Sequence, residues 1–330
     1  MKIAHLIHTL NTGGKSNILT DIAKEQAKYL DAVTVFAIHN RMQQSSPVTD
    51  KNIYTIQVHK KKHNSFFTDA LKLNYLLYKS KIDIIHCHDG KVAKLLCKRL
   101  FRRKTIITSE HLPAVDFNAI LCKENYERKD FFRIVSTGSL NHKKQGQQIL
   151  IKAVRQLRNA GINNIRVDFI GDGPSAKYLK ELTNDYGLND IISFLGYKSR
   201  TYIFQHLKDY DLLVRTSLHS SIELAITEGL AAKVPVIAPD TITSNYISGH
   251  GKYAVLFQKG NYFALADAIK YIYTGASAAE KLALKAYEYA VTKYNIKETA
   301  ENYLRNYFQK HTTPRPKPTI KTTNGKVPAN

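Results

Sequence analysis

The sequence has few cysteines, no long apolar run and too little acid for its base, and each shortage excludes something. Cys87, Cys97 and Cys122 are an odd number without paired spacing, so they form neither a disulfide framework nor a zinc motif, and a reducing, cytoplasmic setting is expected. No run approaches the roughly 20 apolar residues needed to cross a bilayer, and the opening MKIAHLIHTL is too short and too polar for a secretory leader; it reads as a first buried strand. Acidic residues number 27 against 49 lysines and arginines, a formal net charge of +22. An excess of that size favours a polyanionic surface. Zinc-finger spacing, an RNA-binding signature and an aromatic-interleaved basic stripe are all missing, so no nucleic-acid partner is expected.

What is there is a two-domain α/β pattern. The length suits about two domains, and 43% hydrophobic residues suffice for two cores. Strand-like runs at 2–8, 32–38, 52–58, 83–86 and 105–108 alternate with helical runs at 16–30, 66–80 and 91–101. The alternation lapses between about His111 and Asp130 and resumes with strands at 131–135, 165–170, 191–195 and 211–214 and helices at 147–159 and 176–186. Two doubly wound parallel sheets facing a cleft follow, with ligands beyond the carboxyl ends of the strands. Three helices close the pattern, at 262–273, 277–292 and 296–308. The Pro-, Thr- and Lys-rich stretch 311–330 is expected to be disordered.

One basic run is His59-Lys60-Lys61-Lys62-His63. Another comprises Lys91, Lys94, Lys98, Arg99, Arg102, Arg103 and Lys104, with Val92, Leu95, Leu96 and Leu100 at helical spacing among them. The second reads as a basic amphipathic helix, able either to lie on an anionic inner-membrane surface or to pack on its own sheet with solvated lysines.

The most informative segment runs from Ser217 to Asp240. It reads as a helix over 225–232 with Glu228 near its start, then the apolar strand 234–238, with Gly229 where something packs close. A carboxylate so placed can accept two hydroxyl hydrogen bonds, as from a ribose diol. Asn11-Thr12-Gly13-Gly14-Lys15-Ser16 follows the first strand and opens a helix, a place where backbone N–H groups meet phosphate. It is not a Walker A loop, which needs a glycine where Thr9 stands. Further glycine turns follow strands at Gly138-Ser139, Gly171-Asp172-Gly173-Pro174 and Phe194-Leu195-Gly196. His86-x-His88 suggests metal ligands, but no third ligand has convincing spacing, so a structural or sugar-contacting pair is favoured and no metal is assigned.

Together these segments resemble the retaining GT-B glycosyltransferases of family 4 (glycosyl transferases group 1). Ser217, Leu224, Glu228, Ala231, Pro235, Val236, Ile237 and Ala238 fall in register with that family's donor-binding signature, and Ser220 stands at its first glutamate. Lys144 matches the lysine of the Gly-Arg-Leu-x-x-x-Lys-Gly loop, with Ser139 in place of the arginine. Asp83 to His88 and Thr108 to His111 resemble two strand ends of the first domain. The resemblance implies an acceptor-side Rossmann-like domain over 1–130, shortened because 111–131 lacks about two strand–helix units. A nucleotide-sugar domain over 131–295 and a helix at 296–310 crossing back to the first domain complete the plan. It further implies His111, Lys144 and Glu228 as catalytic, and a donor site of Gly13, Gly14, Ser139, Lys144, Gly173, Tyr197, Ser220, Ser221, Ile222, Glu223, Leu224 and Glu228. His86 and His88 fall on the acceptor side. The reaction implied is hexosyl transfer with retention from a nucleotide sugar, UDP-linked, to a saccharide or lipid-linked acceptor of cell-surface polysaccharide or lipopolysaccharide synthesis, with neither cofactor nor metal. The rival is a catalytically impaired nucleotide-sugar or glycan-binding protein, motivated by Ser220, Ser139 and the short first domain.

Overall fold

The computed structural model describes residues 1–10, 14–40, 52–59, 65–108, 113–127, 130–219 and 223–312. The first domain contains β1 (Lys2–Leu10), α1 (Gly14–Ala27), β2 (Ala32–Asn40), β3 (Ile53–His59), α2 (Phe66–Lys79), β4 (Ile84–Cys87), α3 (Gly90–Ala93) and β5 (Thr105–Thr108). Its five strands lie parallel in the order β3-β2-β1-β4-β5. The second contains β6 (Phe132–Thr137), α4 (His142–Gln145), α5 (Gln147–Asn159), β7 (Ile165–Ile170), α6 (Ala176–Asp185), β8 (Ile192–Gly196), α7 (Arg200–His206), β9 (Leu212–Val214) and α8 (Leu224–Ala231). After these come β10 (Val236–Pro239), α9 (Ile242–Ile247), β11 (Val255–Phe257), α10 (Tyr262–Thr274), α11 (Ala276–Lys293) and α12 (Ile296–Thr312). Its six strands, again parallel, run β11-β10-β9-β6-β7-β8.

Parallel strands must be covered on both faces, which explains their near-continuous apolar runs. Each sheet accordingly separates two cores. Leu6, Phe36 and Leu73 lie in one core of the first domain and Ile3, Leu19 and Val33 in the other. In the second domain Ile134, Leu150 and Phe169 occupy one face and Val135, Leu213 and Ile226 the other. Both sheets reverse strand order at their centre, between β1 and β4 and between β6 and β9, and such reversal points open crevices at the carboxyl ends of the strands.

Helix α12 ties the domains together. Ile296 and Ala300 pack with Ile18 and Ile22 of α1 and Leu224 of α8, and further along Leu304 and Tyr307 enter the core of the first domain. The helix extends to Thr312, so residues 311 and 312 of the expected tail are helical, and 313–330 lie outside the described residues.

Three local expectations change. The basic run after β4 is not a long helix: α3 ends at Ala93 and residues 94–103 are largely turns. Asp89 caps α3 by accepting from Val92 N, and then the Asn74 side chain takes Leu95 O at 2.8 Å and Cys97 N at 2.9 Å. A side chain holding those backbone groups competes with the helical ladder. Secondly, residues 113–127, placed by sequence in the first domain, pack against the second. Lys123 Nζ reaches Asp211 at 3.0 Å, the Tyr126 hydroxyl donates to Lys233 O, and Leu121 N donates to Phe204 O. Thirdly, α8 begins at Leu224, so Glu228 sits in its second turn rather than at its start.

Candidate functional site

Three loops at the carboxyl end of the second sheet are stacked so tightly that only glycine fits. A Cβ on Gly171 would lie 1.9 Å from Gly138 O, one on Gly173 2.6 Å from Leu140 O, and one on Gly146 2.2 Å from Thr216 O. Gly171 and Gly146 also have positive φ, 147° and 68°. The loops after β6, β7 and β9 thus form one wall. In the adjoining α8, a Cβ on Gly229 would meet Val236 Cγ2 at 2.6 Å, the close packing expected of that glycine.

Arg215, the residue after β9, joins this wall from within. Its guanidinium donates to Glu223 Oε2 at 3.0 Å, Thr137 O at 2.5 Å, Gln145 Oε1 at 2.6 Å and Ser217 Oγ at 3.1 Å. Thr216 Oγ1 adds a bond to Gln145 O, and Leu218 N one to Lys144 O. Arg215 and Glu223 are both buried, so their charges are paired away from water in charge-assisted bonds. Glu223 therefore holds the wall; its carboxylate faces Arg215 rather than a sugar ring.

The expected site residues divide by exposure. Lys144, in α4, and Ser139 are exposed at the rim, Tyr197 is 66% exposed just after β8, and Gly173 and Gly14 border the same end of the sheets. Leu224 is buried in the interdomain cluster, so its side chain is structural and only its backbone, at the start of α8, can face a ligand. Gly13, His111, Ser220, Ser221 and Ile222, with the basic run 60–63, lie outside the described residues.

Glu228 is buried and belongs to an interdomain ion cluster. Arg200 Nε, at the start of α7, lies 3.6 Å from Glu228 Oε1, and Arg200 Nη1 bonds Asp21 of α1. Burial raises the pKa of Glu228, and Arg200 and then Arg215 oppose that rise. Asp21 is shifted upward for the same reason, again opposed by Arg200. Two carboxylates thus share one guanidinium, whose Nε and Nη2 have no hydrogen-bond partner among the described residues.

In the first domain His86 and His88 are fully buried, which removes them from any acceptor surface in this arrangement. With His5 of β1 they form a trio whose ring nitrogens lie within 4.8 Å of one another. His5 Nε2–H donates to Gln26 Oε1 at 2.8 Å, leaving Nδ1 to accept from His88 Nε2–H at 2.7 Å, while His86 Nδ1 meets the Tyr307 hydroxyl at 2.5 Å. Two nitrogens on one tetrahedral zinc, each about 2.0–2.1 Å from the metal, stand roughly 3.3 Å apart. A 2.7 Å separation is a hydrogen bond, and the trio ties β1, β4, α1 and α12 together.

Sequence reasoning missed Arg215, Arg200, Asp21 and His5. A charged residue directly after an apolar parallel strand is a visible signal, and Arg215 carries it. Arg200 and Asp21 carry none, because their pairing spans 179 positions.

Two doubly wound parallel-sheet domains bridged by a returning helix define the GT-B architecture. The glycosyl transferases group 1 family model matches residues 121–289, half of the chain, and the chain belongs to that family. Among curated relatives, it is 29% identical over 175 residues to the lipopolysaccharide core biosynthesis glycosyltransferase LpsD of Rhizobium meliloti (strain 1021), covering 53% of this chain and 49% of that protein. It is 30% identical over 111 residues to the putative colanic acid biosynthesis glycosyltransferase WcaL of Escherichia coli (strain K12), covering 32% and 27%. The chain spans about half or less of the length of these relatives. Among solved structures, Anabaena HepE in complex with UDP and glucose superposes with TM-score 0.73 at 18% identity, over 94% of this chain and all of that one. WaaG, a glycosyltransferase involved in lipopolysaccharide biosynthesis, gives 0.69 at 15%, over 91% and 99%. At such identities the structures share a fold.

Proposed function

We propose that the protein transfers a hexose from a nucleotide donor, UDP-linked, to a saccharide or lipid-linked glycan acceptor in cell-surface polysaccharide or lipopolysaccharide synthesis, with retention at the anomeric carbon. The observation that carries this reading is Glu228, a buried carboxylate beside the glycine-lined wall at the carboxyl end of the second sheet, in a chain of this family. Relatives named for lipopolysaccharide and colanic acid synthesis, and the HepE complexes with UDP and with UDP-glucose, support the class of acceptor and donor.

Glu228 accepts the ribose hydroxyls, and donor binding recruits it from Arg200, whose open N–H groups then face the nucleoside. The diphosphate lies over the loop after β6, against Lys144 and the amino end of α8, where the helix dipole favours an anion. Charge grows on the diphosphate as the glycosidic bond breaks, so a cation fixed there stabilises the transition state more than the ground state. The acceptor attacks on the face from which the nucleotide leaves and passes its proton to the departing diphosphate. Lys144 supplies the positive charge, and the reading calls for no further cofactor.

The test is UDP release from UDP-glucose and a panel of other nucleotide sugars. Wild type is expected to turn over at least one donor, Lys144→Ala to lose kcat by about 100-fold, and Glu228→Gln to raise KM for the donor. Donor binding without turnover by wild type would favour the impaired-binder alternative.

A further inference from the structure

Helix α2 carries its apolar residues on both sides. Asp69, Leu73 and Leu77 are buried, yet Phe66, Phe67, Leu71, Tyr75 and Tyr78 are each more than half exposed. At 3.6 residues per turn, Phe67, Leu71, Tyr75 and Tyr78 fall on one strip. Lys72 and Lys79, both exposed, run along one border of it. The other border is Asn74, whose side chain binds Leu95 O and Cys97 N and so lays the segment 94–103 alongside. That segment exposes Lys94, Lys98, Arg99, Arg102, Arg103 and Leu100. An aromatic ridge thus stands between two rows of cations. Ten lysines and arginines fall between residues 66 and 104, against three acids. None of the acids offsets the face: Asp69 is buried, Asp83 lies 3.8 Å from Lys104, and Asp89 caps α3.

We infer that this composite face rests on an anionic lipid bilayer, with the ridge at headgroup depth and both cation rows against lipid phosphates. Aromatic rings flanked by lysine and arginine suit that boundary, and the attraction falls off within a Debye length. Charge selects the occupant. A second copy would bring two strongly positive faces together, and Leu71 and Leu100 interrupt the aromatic rings with aliphatic bulk that suits the acyl boundary better than a row of stacked bases. The membrane surface expected from a single basic helix is therefore built from two elements, the cations on the turn segment and the apolar anchors on α2. None of its residues belongs to the donor site proposed above, so it does not depend on sugar transfer.

The absence of tryptophan supplies the probe. Tyr75→Trp places a sole tryptophan on the ridge, and Tyr271→Trp, at an exposed position of α10, serves as control. With vesicles of phosphatidylcholine plus phosphatidylglycerol, emission from the ridge probe is expected to shift to shorter wavelength saturably and salt-sensitively, while the α10 control stays unchanged, as do both with phosphatidylcholine alone. In the Tyr75→Trp background, Phe67→Ser with Leu71→Ser is expected to weaken partition about tenfold or more, and so is Lys98→Gln with Arg102→Gln and Arg103→Gln. Both sets replace exposed side chains, so circular dichroism and urea midpoints should match the parent. The inference is overturned by no shift with anionic vesicles, by equal binding of the variants, by a response to RNA in place of vesicles, or by light scattering that shows the ridge pairing two copies. A UDP titration reads a different surface, so either result can fail while the other holds.

Discussion

Arg215 is the residue on which the wall depends most. Its guanidinium reaches a carboxylate, a backbone carbonyl, an amide oxygen and a hydroxyl contributed by four stretches of chain. Removing one partner of a buried pair leaves the other charge uncompensated, at about 3–5 kcal/mol. Arg215→Met is therefore expected to lower the unfolding free energy by about 3 kcal/mol in urea titration, and Glu223→Gln by less, because Arg215 keeps its neutral acceptors. Loss of both charges together should cost less than the sum of the single changes, as expected for residues in direct contact. Fully additive costs would show that the pair is not coupled. Glu228 differs in kind. It shares Arg200 with Asp21, so neutralising it leaves one intact ion pair and removes a buried charge whose pKa burial already raises. A raised acid pKa destabilises the fold as pH climbs through it. Glu228→Gln should then be at least as stable as wild type at neutral pH, in thermal unfolding, while binding donor less well.

At the scale of elements, the strand and helix order was legible because parallel strands and their covering helices keep distinct periods. The strands at 2–8, 32–38, 131–135 and 165–170 and the helices at 66–80 and 147–159 reappear within a few residues of their expected limits. What could not be read was set by partners distant in sequence. The run 91–101 has helical spacing, yet Asn74, some 20 positions earlier, captures its backbone. The segment 113–127 has no period of its own, and its place beside the second sheet is fixed by contacts such as Lys123 with Asp211, 88 positions away. The glycine turns were legible as chain punctuation, whereas the pairing of Glu223 with Arg215 was not, because a charge directly after a strand marks Arg215 without naming its partner. The capture by Asn74 has a measurable consequence. Asn74→Ala leaves Leu95 O and Cys97 N without that partner and should cost about 1–3 kcal/mol, with faster hydrogen exchange confined to 94–103. Unchanged exchange there would mean the turn segment holds itself.

For the whole molecule, α12 and the histidine trio connect stability to pH. Burial lowers the His5 pKa to about 4, with the Gln26 hydrogen bond opposing. A histidine kept neutral in the fold but protonated when unfolded contributes stability above its unfolded pKa of about 6.5, and that stability is lost as pH falls toward 4. The loss amounts to roughly 3 kcal/mol, read as a falling urea midpoint between those limits, and His5→Gln should flatten it; an unchanged slope in that variant would assign the loss to other groups. The cross-domain cluster of Asp21, Arg200 and Glu228 gives the molecule its second connection, placing the proposed ribose carboxylate where the two domains touch. Isothermal titration of the protein with UDP tests this arrangement most directly. Wild type is expected to bind one UDP per chain, with affinity at least tenfold weaker in Glu228→Gln and in Lys144→Ala but unchanged in Phe67→Ser. An absence of UDP binding by the folded wild type, or equal affinity in all four proteins, would contradict it.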